Sequence, residues 1–313
     1  MWKDKKVLVT GINGFIATHL ADKLNMLGAE VYGIEKPGKK NKYGLIACDL
    51  TDLNQTLDSI SKLEPDIIFH LAGQPIASIA KENPIDSFKA NVVATLNLLE
   101  YCRHKKIPFV YSSTRDIYDK SKDSPFTEGS SLFPKTIYDS TKLAADNLTS
   151  AYFSSYGLPV GIIRASNVYG SKDLNFQRVI PKIMKSIALD QKIDLYGDGS
   201  SSRDYIHISD LVDGYILLAD NLMQGKNYGE IFNLSGSAPL SVKEIIEKMK
   251  SISGKEIKIQ FSSTQKEVKD IHYASAEKAK SILNWNPKIG IDEGLRLTYD
   301  WYKNNTELYS QTS

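Results

Sequence analysis

The chain has 313 residues, 42% of them hydrophobic and 24% charged, with a formal net charge of +2. This is the composition of an ordinary globular protein of one large domain or two coupled ones, and so small a charge, with both signs evenly mixed, excludes a nucleic-acid footprint and an anionic-membrane patch. No run approaches the roughly 20 apolar residues that span a bilayer, the charged start Met1-Trp2-Lys3-Asp4-Lys5-Lys6 lacks a signal-peptide layout, and Cys48 and Cys102 show neither metal-ligand spacing nor a disulfide framework. The expectation is a cytoplasmic protein with buried thiols, no metal, and no nucleic-acid or membrane partner.

The first strand is expected at residues 7–10, followed by Thr10-Gly11-Ile12-Asn13-Gly14-Phe15-Ile16-Ala17 and a helical pattern over 15–27. The first glycine permits a tight turn, the second lets the backbone approach a pyrophosphate, and the small Ala17 lets the helix pack closely on the strand. The amides at the helix start then face the phosphates. Gly11, Asn13, Gly14, Phe15 and Ile16 are therefore candidate dinucleotide-binding residues. A second strand, 30–34, runs into Glu35, placed where an acid accepts hydrogen bonds from an adenosine ribose and repels a 2′-phosphate. NAD is favoured over NADP on that ground, although Lys36, Lys39 and Lys40 could neutralise a phosphate or simply form a solvated loop. Asp49 and Leu50 follow the third strand at the adenine edge. Capping of the helix that begins at Asp52 is an alternative role for Asp49.

Further strands are expected at 66–70, 109–114 and 160–164, with a helix over 84–103 between the first two of these. Strand and helix in turn mean right-handed crossovers and a doubly wound parallel sheet, the Rossmann arrangement, with its ligand crevice at the carboxyl ends of the strands. After residue 167 the pattern loosens into shorter elements, so residues 1–166 are read as the dinucleotide-binding domain and 167–313 as mainly a smaller α/β substrate lobe. The lobes are expected to interleave, because Ile231-Phe232-Asn233-Leu234 reads as a buried strand able to return to the first sheet.

Tyr138-Asp139-Ser140-Thr141-Lys142 opens a helix after the Pro134 turn, and its spacing puts a phenol and an ammonium on one helical face. A neighbouring ammonium and a positive nicotinamide ring favour the phenolate, giving a general base for a hydroxyl proton. Taken alone, a packed Tyr beside a surface Lys is the competing reading. The fifth strand ends in Ser112-Ser113-Thr114, whose hydroxyls can share a hydrogen bond with a reacting oxygen.

The chain resembles the extended short-chain dehydrogenase/reductase family in its nucleotide-sugar epimerase and dehydratase branch, from Lys5 to about Trp301. The matching pieces are Thr10 to Ala17, His70-Leu71-Ala72-Gly73, Ser112-Ser113-Thr114, Tyr138 to Lys142, Arg164 to Gly170, Gly197-Asp198-Gly199 with Arg203-Asp204-Tyr205-Ile206-His207, and Leu283-Asn284-Trp285-Asn286-Pro287. The resemblance implies that Tyr138 deprotonates the 4-hydroxyl of a nucleotide-diphosphate sugar while hydride passes from carbon 4 to NAD and Thr114 bonds the same oxygen. It implies that Leu71, Ala72, Gly73 and Lys142 line the cofactor, that Asn167 and Arg203 meet the diphosphate, with Arg115 also at the substrate, and that a homodimer forms through the Tyr138 helix and the 91–103 helix. Tyr196 is the candidate for stacking on the base. His207 is read as a packed histidine. An Arg common in such enzymes is replaced by Gln265-Lys266-Glu267, so Lys266 or Lys269 could take its place.

Family dehydratases often carry an Asp and a Glu directly after the catalytic Thr, as acid and base for eliminating water. Here the positions hold Arg115 and Asp116. Arginine cannot be the acid, and Asp116 beside a cation stays ionised. A 4-epimerase is therefore expected first, and a 4,6-dehydratase with Asp116 as base second. A keto-sugar reductase, a decarboxylase, or a protein that binds nucleotide sugars without chemistry stands behind these.

Overall fold

The computed structural model describes all residues except 196, 237, 262–269 and 311–313. Its centre is a seven-stranded parallel sheet built from β1 (Lys6–Thr10), β2 (Glu30–Glu35), β3 (Gly44–Ala47), β4 (Ile67–His70), β5 (Phe109–Thr114), β6 (Val160–Ala165) and the strand Ile231–Leu234. The spatial order is 231–234, β6, β5, β4, β1, β2, β3. Strands buried on both faces read as near-continuous apolar runs, and β4 and β6 are buried at every position. One face packs on the helices Phe15–Met26 and Ile208–Met223, the other on Ala94–Lys105 and Ile137–Tyr156.

The strand order reverses between β1 and β4, and such a switch point opens a crevice above the carboxyl ends. Register brings those ends level: Thr10 lies opposite both Ile34 and His70, and Thr114 opposite Ala165. The chain leaves the sheet after Ala165, builds part of the second lobe, and returns through the helix Ile208–Met223 and the strand Ile231–Leu234, which pairs with β6, before completing that lobe. That lobe has its own core between the helices Val179–Leu189, Val242–Ser253 and Ile291–Asn304. Short pairs of strands join it to the cleft: Asn167–Tyr169 with Tyr205–His207, and Ser202–Arg203 between Leu240–Ser241 and Ile271–His272. No helix among the described residues is long and apolar enough to cross a membrane.

The single helix expected over 84–103 is broken. It runs as Pro84–Phe88, a π-helical turn Lys89–Val93, and Ala94–Lys105. The widened turn presents Asn91 inward, 2% exposed, and such turns are frequent at functional sites. Asn91 Oδ1 accepts from Gln74 N at 2.6 Å, while Nδ2 donates to Thr141 Oγ1 at 2.8 Å. The helix Ile137–Tyr156 starts sharply because Thr136 and Asp139 form a capping box, a device worth about 1 kcal/mol. That start fixes Tyr138 in the first turn and Lys142 in the next.

Candidate active site

A cleft of about 890 Å³ runs over the carboxyl ends of the strands, from Glu35 and Asp49 at one end to Arg203 and Tyr205 at the other. Gly11 sits at φ +65°, and a Cβ there would come within 2.9 Å of Ala72 Cα, so only glycine allows the β1 turn to lie this close to the β4 loop. The helix after Gly14 has neither a side-chain cap nor an acid in its first turn, which leaves its start electropositive toward the cleft. Gly73 is required for a different reason: its Cβ would lie 2.5 Å from Asn91 Oδ1.

Beneath these turns the buried His70 organises the switch point. Thr95 Oγ1 donates to Asn91 O at 2.6 Å, so it accepts from His70 Nε2 at 3.0 Å, and His70 Nδ1 accepts from Thr10 Oγ1 at 2.8 Å. Thr10 Oγ1 in turn accepts the amides of Leu71 and Ala72. Burial, with Lys142 nearby, pushes His70 down to about 3, which keeps the ring neutral in this relay.

Glu35 and Lys36 both line one end of the cleft, as do Asp49 and Leu50. Asp49 Oδ1 accepts from Thr51 N at 3.0 Å and Thr51 Oγ1 at 2.9 Å, and the first of these bonds chiefly holds its carboxyl below the ordinary value. The helix Leu53–Ser61 is capped by Asp52 instead. Asn13 is exposed and is not among the residues lining the cleft; its Oδ1 accepts from Asn41 at 2.6 Å. Tyr196, Lys266 and Lys269 lie outside the described residues.

Thr114, Asp116, Tyr138 and Lys142 meet at the centre of the cleft. The Thr114 side chain lies near enough to Tyr138 to oppose, weakly, the effect of burial on its phenol. Lys142 Nζ donates to Ser112 O at 2.5 Å and lies 4.4 Å from the centre of the Tyr111 ring. Burial pushes Lys142 down to about 7, opposed by Asp146. Burial, then the Asp116 charge, push Tyr138 up. Among the causes acting on Tyr138, Arg178 is the cation that opposes the rise.

Arg115 also departs from expectation. It is 2% exposed and does not line the cleft. Its Nη1 lies 3.2 Å from Asp204 Oδ1, a carboxylate with no exposure, and its Nη2 donates to Asn167 Oδ1 at 3.2 Å. A fully buried carboxylate needs a counter-charge, and Arg115 supplies it, alongside bonds to Asp204 from Ser166, Ser235 and the Ala274 amide. Asp116 instead pairs with Lys120 at 2.9 Å. Burial raises its carboxyl, but Arg115, Lys120 and Arg203 outweigh that and hold it below the ordinary value. Arg203 lines the cleft while bonding Asp270 Oδ2 at 2.7 Å. His207 packs edge-on to Tyr169 and caps the following helix through Ser209 N.

Arg178 lines the cleft from the start of the helix Val179–Leu189, held by Asp173 at 2.9 Å. Sequence reading missed it, for no motif marks the loop before Pro181. Asn91 was missed because the π turn that aims it is invisible in a helical pattern.

A doubly wound sheet with a glycine cradle at its switch point, and a hydroxyl strand end facing a Tyr-x-x-x-Lys helix, defines a dinucleotide-dependent enzyme of alcohol and ketone chemistry. The chain belongs to the NAD dependent epimerase/dehydratase family, whose model matches residues 7–235. It is 31% identical to a UDP-glucuronate 4-epimerase of Thermodesulfobacterium geofontis, over 96% of this chain and 97% of that one. It is 29% identical to human dTDP-D-glucose 4,6-dehydratase, over 96% of this chain and 91% of the relative. Among solved structures it superposes on UDP-glucuronic acid 4-epimerase from Bacillus cereus in complex with UDP-glucuronic acid and NAD, with a TM-score of 0.85, 26% identity and coverage of 97% and 100%.

Proposed function

We propose that the chain is an NAD-dependent nucleotide-sugar 4-epimerase working through a 4-keto intermediate. The glycine cradle, the uncapped helix start and Glu35 fit the pyrophosphate and ribose of NAD, which supplies a hydride acceptor and a positive ring when bound. Tyr138 takes the proton of the sugar 4-hydroxyl, Thr114 bonds the same oxygen, and Lys142 steadies the cofactor side of the site. A positive charge beside Tyr138 offsets the burial that otherwise holds its proton. Asn167 and Arg203 face the nucleotide diphosphate.

The observation that favours epimerisation over dehydration is the state of the two residues behind Thr114. Elimination requires an acid and a base, but Arg115 is buried on Asp204 and its guanidinium keeps its protons. Asp116 is held ionised by its cations. Neither offers the cleft a transferable proton, so the ketone is left to turn over and take hydride back on its other face. Exposed apolar side chains on the helices beside the site, Phe88, Leu96, Ile137 and Phe153, support a homodimer through that surface.

Incubation with UDP-glucose, UDP-glucuronate, dTDP-glucose and GDP-mannose, followed by NMR, tests the reading. A carbon-4 epimer is expected. A 4-keto-6-deoxy sugar, or a pentose with release of carbon dioxide, overturns it. Tyr138→Phe is expected to lower hydride transfer at least a hundredfold, within the range of general-base catalysis, while NAD stays bound.

A further inference from the structure

Behind the Tyr138 helix lies a buried polar group that the proposed chemistry does not use. Tyr138, Lys142 and Asp146 follow one another at four-residue spacing on the helix Ile137–Tyr156, and so share a face. Asp146 has no exposure and Arg164 only 2%. Arg164 of β6 donates to both carboxylate oxygens of Asp146, Nη2 at 2.8 Å and Nε at 3.1 Å. Ser113 of β5, directly opposite Arg164 in register, donates to Asp146 Oδ2 at 2.6 Å. Arg164 Nη1 then donates to the Tyr118 hydroxyl at 3.1 Å, and Tyr118 to Asn233 Oδ1 at 2.7 Å.

Ser113 immediately precedes Thr114, and Tyr118 ends the short 3-10 turn Arg115–Ile117 that follows it. One ion pair on the catalytic helix therefore grips the strand end on both sides of Thr114. Replacing a buried ion pair by apolar residues is often neutral or stabilising, so stability alone does not account for charges at this place.

The surroundings of Lys142 supply the second half of the argument. Its own helix contributes Tyr138 and Asp146. Strand β5 contributes Ser112 O and the Tyr111 ring, with the Tyr215 hydroxyl behind Ser112 Oγ at 2.6 Å. Strand β4 contributes a neutral His70, and β6 contributes Arg164 on the far side of Asp146. Among the described residues Asp146 is the acid that acts on Lys142, against a burial that favours the neutral amine.

We propose that the Asp146–Arg164 pair is a positioning element of the active site: it clamps the Thr114 turn onto the Tyr138 helix, and the Asp146 charge keeps Lys142 in its ammonium form. Arg164 partly cancels that charge and so sets how strongly it acts. The inference rests on the roles proposed for Thr114, Tyr138 and Lys142.

The test follows Lys142 directly, in NAD-loaded protein carrying ¹³C at the lysine Cε, with its signal assigned by Lys142→Met. Asp146→Asn is expected to lower the titration midpoint by about one pH unit, and Arg164→Gln to raise it by about as much, within the range of nearby charges. Both variants break the same pair, so a merely structural role moves both midpoints together. Shifts in one direction, or no shift, overturn the charge role. Arg164→Lys, which keeps the cation, is expected to leave the midpoint in place, and a rise equal to that of Arg164→Gln counts against it.

Ser113→Ala leaves the ion pair intact and keeps the clamp testable if the charge variants fail to fold. Its kcat with UDP-glucuronate or UDP-glucose, whichever turns over, is expected to fall about tenfold with KM unmoved, as for loss of an oriented group. An unchanged kcat overturns the clamp. The titration needs no turnover, so its outcome is separate from that of the epimerase assignment.

Discussion

Lys142 carries a measurable cost to the fold, and Lys142→Met exposes it. Burial lowers its ammonium from 10.5 to about 7. The folded state therefore binds fewer protons than the unfolded chain between those values, so stability rises with pH through that window and is lowest below pH 7. Each pH unit corresponds to about 1.4 kcal/mol, which sets an upper bound of about 5 kcal/mol. The residue is only partly buried, and solvent screening brings the working figure to about 3 kcal/mol. Losing the bond to Ser112 O takes back about 1 kcal/mol. Lys142→Met is thus expected to be more stable than the native protein by about 2 kcal/mol at pH 6.5, the gap closing by pH 10. Urea midpoints read by fluorescence, with the buried Trp285 as a reporter, check this across the range. A gap that does not change with pH, or a variant less stable at pH 6.5, refutes the reasoning.

Arg115→Met strands the Asp204 carboxylate, and calorimetry is expected to show a loss of about 3 kcal/mol, at the lower end for a broken buried pair because Asp204 keeps three other donors. Arg115→Met with Asp204→Asn should recover part of it. Gly73→Ala drives a methyl group against Asn91 Oδ1, which is locked by Gln74 N; NAD affinity by titration calorimetry should drop about tenfold, as for about 1.4 kcal/mol of misplacement. Glu35→Ala removes the carboxylate expected to repel a 2′-phosphate, so NADP should bind at least about tenfold tighter than to the native chain; unchanged binding refutes that role.

Local chemistry determined much of this protein from the sequence alone. The alternation of strand and helix, the Gly11 turn, and the four-residue step from Tyr138 to Lys142 depend on neighbours a few residues apart, and a periodic pattern carries that information. The same holds for Thr114 at a strand end and for Glu35 at the end of β2.

The tertiary structure decided what each charge does. Sequence proximity suggested that Arg115 would act on Asp116 and meet the substrate; its charge does act on Asp116, but folding brings Asp204 against its guanidinium while Asp116 pairs directly with Lys120. Spacing put Lys142 on the face of Tyr138, and the packing of the helix on β5 adds Ser112 and Tyr111 as partners of its ammonium. Arg178 reaches the cleft from the second lobe, and Asp146 finds Ser113 and Arg164 across two strands. A buried charge takes its partner from whatever the fold places against it, because desolvation makes an unpaired ion too costly to keep. That choice is made by distances in space, which spacing along the chain does not encode.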